Sequence, residues 1–210
     1  MILIIGSRKG GSGKSTTAIN IAAELSQRGA DVVLVDADRQ GTSANWVEDR
    51  NETDLPVVHC VQKYDNIKST LQDLNGRYEF VIVDAAGRDS KELRTGLLAA
   101  DVLLVPFRPS QPDLDTLPHL SEIINNALDY NPKLKTFGVI TMAPTNVFIS
   151  ETKEAKKMLS ELETDIQLID TVICDRKVYR DTISEGRGVT EADNNKAKAE
   201  IQLVLDKVIA

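Results

Sequence analysis

The chain has 210 residues, a length that suits one domain with a full core. Hydrophobic residues make up 41% and charged residues 27%, an ordinary globular balance, and the formal net charge is −7. No apolar run is long enough to cross a bilayer, and the acidic total argues against a protein that coats nucleic acid all over, while leaving room for a local basic patch.

Met1 leads straight into an apolar run with no signal or transit pattern, so a cytoplasmic protein is expected. Cys60 and Cys174 stand far apart without a partner motif and read as reduced core or boundary residues. Apolar runs alternate with amphipathic stretches along the chain, and no linker, repeat or low-complexity segment interrupts them. That alternation predicts a single α/β domain over residues 1–210 with a mostly parallel, twisted sheet between layers of helices. Strands are expected at residues 2–6, 32–35, 80–83, 102–105 and 137–142, with weaker candidates at 57–60 and 169–173.

Between the first strand and a helix expected over residues 18–28 lies Arg8-Lys9-Gly10-Gly11-Ser12-Gly13-Lys14-Ser15-Thr16. A strand, a glycine-rich turn and a helix opening on Gly-Lys-Ser is a phosphate-binding loop. Its glycines let backbone N–H groups approach phosphate oxygens, and the helix N-terminus adds positive character. Lys14 has the reach for the β- and γ-phosphates, and the Ser15 hydroxyl suits Mg²⁺. Where the common pattern has its first glycine, this chain has Arg8, and a second lysine, Lys9, precedes the glycine pair.

That departure resembles the deviant P-loop of the ParA/MinD family of ATPases, Lys-Gly-Gly-x-Gly-Lys-Ser/Thr, and the likeness extends over nearly the whole chain. It implies the three-layer P-loop NTPase fold, ATP and ADP with Mg²⁺ as ligands, and Lys9 reaching across a homodimer onto the partner's nucleotide. After the second strand, Asp36-Ala37-Asp38-Arg39-Gln40 resembles the family's Asp-x-Asp-x-Gln segment; the resemblance gives Asp38 the attacking water and Asp36 the Mg²⁺ shell. Arg39 stands where relatives often carry proline, which puts the loop's rigidity in doubt.

Residues 42–50 read as a short helix in which Trp46 packs, and residues 64–74 as an amphipathic helix closed by Gly76. The run ending Val81-Ile82-Val83-Asp84 describes a strand whose carboxylate holds Mg²⁺ directly or through water. Asp84-Ala85-Ala86-Gly87 reads equally as a switch segment whose amide senses the γ-phosphate or as a turn before a helix at 91–99. Three prolines fall within residues 106–112 and stiffen a loop. The resemblance places that loop, and Pro109 in it, beside the nucleotide. A helix follows at 114–128, in which His119 reads as surface or packing and not as a metal ligand. Asn146, past the fifth strand, is by resemblance a base contact.

Residues 151–162 read as a helix with a solvated lysine face. From Asp175 to Arg187, four basic residues face three acidic ones, and by composition this is a mixed-charge surface. The family likeness instead assigns Arg176, Lys177 and Arg180 to DNA phosphates, with Arg176 and Arg180 on one helix face. Residues 196–209 have one apolar side but lack aromatic anchors and a strongly basic face, so a packed helix is expected rather than a membrane helix.

The resemblance comes closest to the small ParA-type partition ATPases: an ATP-dependent dimer on non-specific DNA, slow hydrolysis, a centromere-binding partner that stimulates it, and nucleoid association. No helix-turn-helix extension precedes the first strand, so operator binding by that route is not expected. The rival readings are a MinD-like membrane-positioning ATPase, a dethiobiotin-synthetase-like ligase, an iron–sulfur reductase of the nitrogenase iron-protein type, and a non-catalytic nucleotide switch. Cys60 and Cys174 do not look like cluster ligands.

Overall fold

The computed structural model describes residues 1–87, 89–146, 156, 157, 159 and 165–210. Seven strands form one sheet: β1 Ile2–Ile5, β2 Val32–Ala37, β3 His59–Gln62, β4 Phe80–Ala85, β5 Val102–Phe107, β6 Lys135–Ile140 and β7 Gln167–Leu168. Their order is β3-β2-β4-β1-β5-β6-β7, and every pairing is parallel. This is the expected three-layer α/β architecture, with β1 at its centre.

The period of two along β1 explains the layers. Ile2 and Ile4 face one core, and Leu3 and Ile5 face the other. Each of the four is at most 2% exposed. Burying such a side chain contributes about 1.5–3 kcal/mol, which is why the strand reads as an unbroken apolar run. Helices α3 (Lys68–Asn75), α4 (Lys91–Leu97) and α6 (Leu117–Leu128) cover the Ile4 side through Leu71, Leu93 and Leu120. Helices α1 (Lys14–Gln27), α2 (Thr42–Arg50) and α8 (Asn195–Ile209) cover the Ile5 side through Ile19, Trp46 and Ile201. Two short helices also occur among the described residues, α5 (Gln111–Leu114) and α7 (Lys177–Ile183).

Several boundaries differ from the sequence expectation. The first helix begins at Lys14, inside the motif, because left-handed Gly13 (φ 83°) turns the loop directly into its first turn. The helix expected over 114–128 is two helices. Pro118 has no N–H to give the Leu114 carbonyl, so the chain leaves helical bonding at 115–116 and restarts at Leu117. Edge strand β3 starts two residues later than expected, since Val57 is exposed and pairs with nothing in the sheet. The last strand sits at 167–168 instead of 169–173; beyond it only the amides of Ile169 and Ile173 and a bridge from Cys174 to Ala143 continue the pairing. The helix expected at 151–162 lies largely outside the described residues. No helix among the described residues is long and apolar enough to cross a membrane.

Candidate functional site

Strand β1 delivers the chain to the C-terminal edge of the sheet, where a tight loop turns it back into α1. Hydroxyls hold the loop from within. Ser7 and Ser12 share a 2.6 Å hydrogen bond, and Thr141 Oγ1 donates to the Ser12 carbonyl at 2.8 Å. No side chain caps α1, so the amides of its first turn remain for a ligand. Lys14 folds back and its Nζ donates to the Lys9 carbonyl at 3.0 Å. Burial pulls the Lys14 ammonium below its ordinary value, while Asp84, Asp38 and Asp113 push it up. A Cβ on Gly87 would sit 2.8 Å from Lys14 Nζ and 3.3 Å from the Lys9 carbonyl oxygen, so a larger residue there would push the Lys14 side chain aside.

The loop opens on a cleft of about 790 Å³. That volume lies in the range of small-molecule sites. Lys9, Gly10, Gly11, Gly13, Lys14, Ser15, Thr16 and Asp38, all expected site residues, line it together with Arg8, Gln40, Gly87 and Met142. Ser12 is fully buried beneath the loop and braces it. Pro109 and Asn146 lie past the ends of β5 and β6, outside the cleft lining.

Strand register brings the expected metal carboxylates level, Asp36 of β2 opposite Asp84 of β4. Their surroundings give them different work. Both Asp36 oxygens already accept backbone N–H bonds, Oδ1 from Asp38 at 3.0 Å and Oδ2 from Ala44 at 2.9 Å. Asp36 therefore fixes the Asp38 loop and the start of α2. Asp38 Oδ1 in turn accepts from Gln40 N at 3.0 Å. Asp84 Oδ2 accepts from Ser43 Oγ at 2.8 Å, whereas its Oδ1 is buried without a partner. Burial pushes the Asp84 carboxyl up to about 6; Ser15 and Ser43 oppose that push, and Asp36 adds to it. A buried carboxylate oxygen with nothing bonded to it, beside a loop serine, fits a Mg²⁺ ion or its water shell. Ser15 and Asp84 are the residues that would hold such an ion, which would supply charge neutralisation to phosphate oxygens.

The position that departs from the family pattern has its own support. The Arg39 guanidinium stacks 4.8 Å from the Tyr64 ring centroid and lies 3.9 Å from Asp65. An aromatic shelf thus lies under the Arg39 side chain.

A second, smaller hollow of about 100 Å³ adjoins the first at Gly13, Thr16 and Met142 and runs back along Ile173, Cys174, Arg176 and Tyr179. Sequence reasoning missed these residues as a group. Met142 takes a left-handed backbone (φ 51°) between the two hollows, and nothing in its local sequence announces that. Of the three expected DNA contacts, Arg176 and Arg180 line this hollow and Lys177 does not, and each of the three is paired. Arg176 binds Glu200 at 2.6 Å, and Glu200 also accepts from Tyr179 Oη at 3.0 Å. Lys177 pairs with Asp181 and Arg180 with Asp175, at 2.8 and 2.7 Å. Arg176 is extended (φ −118°, ψ 138°) and precedes α7, so it does not share a helix face with Arg180 as the i, i+4 spacing suggested.

Comparison with known proteins agrees with this geometry. The family model described as ATPase MipZ matches residues 1–126. The maintenance of carboxysome distribution protein A of Halothiobacillus neapolitanus is 32% identical over 216 aligned positions, covering 99% of this chain and 95% of that one. Among solved structures, an ATP complex of a Cyanothece McdA variant has a TM-score of 0.81 at 17% identity, covering 99% of this chain and 95% of that one. A plasmid partition protein of Borrelia burgdorferi bound to AMPPNP has a TM-score of 0.74 at 20% identity, covering 99% of each. Loop, sheet order and family match agree: the chain belongs to the MipZ ATPase family, within the ParA/MinD-type P-loop ATPases.

Proposed function

We propose that this protein is an ATP-driven positioning ATPase of the partition type, which binds Mg²⁺–ATP, pairs with a second copy on that nucleotide and grips DNA without reading its sequence. The observation that carries the reading is the division of labour between two lysines. Lys14 occupies the inner face of its own loop, through the Lys9 carbonyl. Lys9 Nζ, at the cleft rim, has no hydrogen bond or ion pair among the described residues. A cation with nothing to do in its own subunit suits the phosphates of a second one.

In this reading the first-turn amides of α1 and Lys14 cradle the phosphates, and the Gly87 amide meets the γ-phosphate. Asp38, held by Asp36 and the Gln40 amide, orients water for attack, giving ADP and phosphate. A Mg²⁺ ion held by Ser15 and Asp84 would neutralise charge on the phosphate oxygens. The hollow behind Gly13 and Thr16, walled by Met142 and Tyr179, accepts the base, with Pro109 and Asn146 approaching from neighbouring loops. Lys177 and Arg180 are the phosphate contacts for DNA. Their side chains are 80% and 68% exposed, and ion pairs that open to solvent are worth little, so a DNA phosphate can replace the acid. Arg176, tied to Glu200, holds the platform beneath them.

The cargo is a DNA locus carried through a centromere-binding partner, or a protein assembly. The relative named for carboxysome distribution, alike over nearly the whole of both chains, favours the second. The deciding experiment is a gel shift on random duplex DNA with ATP, ADP and no nucleotide. Retardation with ATP alone supports the reading. Equal retardation in all three lanes, or none together with ATP-dependent sedimentation on liposomes, overturns it in favour of a different anchoring surface.

A further inference from the structure

Arg8 stands where common P-loops carry a glycine, and its surroundings are unlike those of the other arginines. Every other arginine among the described residues has a carboxylate within ion-pairing distance: Arg28, Arg39, Arg50, Arg77, Arg94, Arg108, Arg176, Arg180 and Arg187. Arg8 has none, although the chain as a whole carries an excess of acid. Its Nε is one of three buried side-chain polar atoms without a partner among the described residues; Asp84 Oδ1 is another. A buried guanidinium N–H left unbonded loses its water and gains nothing, so such groups are rare unless something outside the chain satisfies them.

The position of the two unsatisfied groups indicates what that partner is. Arg8 lines the cleft beside Lys9, and Asp84 lies behind the same cleft, next to Ser15. One is a cation with no ion pair among the described residues and the other a carboxylate with one oxygen unbonded, at one end of the sheet. A metal–polyphosphate satisfies both at once. Guanidinium geometry favours two phosphate oxygens at a time, whereas an ammonium acts as a point charge.

We propose that Arg8 is a phosphoryl ligand of this cleft, contacting the terminal phosphate of the bound triphosphate and so raising the preference for ATP over ADP. The inference rests on the nucleotide reading above. It adds a third cation to the loop beside Lys9 and Lys14, at a position where a glycine loop has no side chain to offer.

The test compares the parent protein with Arg8→Gln, Arg8→Lys and Arg8→Gly. Affinities for ADP and for a non-hydrolysable ATP analogue, both with Mg²⁺, are measured by calorimetry, and melting temperatures check the fold. Arg8→Gln is expected to weaken the triphosphate about tenfold or more while leaving ADP within about twofold, with Arg8→Lys intermediate. Arg8→Gly should match Arg8→Gln, because the contact is made by the side chain and not by loop shape. Protein concentrations below and above the dimer threshold separate two sources of phosphate. A triphosphate-specific loss in the monomer places the contact in the same cleft and supports the assignment, whereas a loss confined to the dimer places it on the second copy's nucleotide and overturns it. An unchanged ATP-to-ADP ratio in folded Arg8→Gln overturns it, as does a loss of DNA retention without any change in nucleotide affinity. Failure of the parent to bind either nucleotide would instead sink the underlying ATP reading.

Discussion

Asp84 and Glu191 are both buried carboxylates, and they show how environment sets what a single residue does. Asp84 keeps one oxygen free and its carboxyl is raised from 3.8 to about 6, chiefly by burial. A raised acid costs stability once it is ionised: nothing below about pH 4, and the full amount above about pH 6. Asp84→Asn is therefore expected to stabilise the nucleotide-free, metal-free protein at pH 7.5 by on the order of 2–3 kcal/mol, an advantage that melting curves should show vanishing near pH 4. The same substitution should abolish Mg²⁺-dependent nucleotide binding. Glu191 is the reverse case. Burial alone would raise its carboxyl, but Arg50, the Gly188 amide and Gln27 hold it below its ordinary value. The pair is 2.7 Å apart, with side chains 1% and 2% exposed. Glu191→Gln leaves a buried guanidinium without its counter-charge, and chemical denaturation should record a loss of about 3–5 kcal/mol. Lys9→Ala belongs to this scale as well. It should retain binding of ADP while losing the ATP-dependent dimer in sedimentation velocity, and a dimer that survives would remove Lys9 from the bridge.

Helix α2 is the element that ties the nucleotide end to the rest. At its start, Ser43 bonds Asp84 and the Ala44 amide bonds Asp36. At its end, Trp46 Nε1 donates to the Arg187 carbonyl, and Arg50 donates to the Gly186 carbonyl and Glu191. Arg50 also lies 5.1 Å from the Trp46 ring centroid. The helix thus spans from the carboxylates to the segment just after α7, where the proposed DNA contacts lie. Trp46→Phe keeps the packing and removes one of these bonds. It should cost about 1 kcal/mol of stability in denaturant melts. The basic residues at the start of and within α7 divide by burial. Arg176 anchors α7 to α8 through Glu200, with side chains 20% and 11% exposed. Reversing its charge would undermine the fold, so the informative variant is Lys177→Glu with Arg180→Glu. Those substitutions should leave the melting temperature within a degree or two and weaken ATP-dependent DNA retention, most visibly at low salt. Unchanged retention would locate the contact elsewhere.

At the scale of the whole molecule, one parallel sheet gathers loops from β1, β2, β4, β5 and β6 at a single edge. Crossover connections place every strand's C-terminal end on that side, so residues from 8 to 142 meet in one cleft without a second domain. The face beneath is sealed by α8, whose Ile201, Val204, Leu205 and Val208 are buried against the core. The apolar side of this helix is thereby used in packing, as its sequence suggested.

The sequence by itself determined the α/β alternation, the phosphate loop from Lys9 to Thr16 and the carboxylates at 36, 38 and 84. These are legible because they depend on local rules: apolar runs for buried strands, glycines where backbone must turn, and acids at strand ends. What only the tertiary structure decided are the relations between distant segments. The free oxygen of Asp84, the unpaired Arg8, the Arg39–Tyr64 shelf, the hollow between Met142 and Tyr179 and the pairing of Arg176 with Glu200 join residues far apart in the chain. Spacing in a sequence reports which side of one helix or strand a residue occupies. It carries no record of which other strand's loop will arrive beside it, and that neighbour decides whether a charge is spent on a partner or left for a ligand.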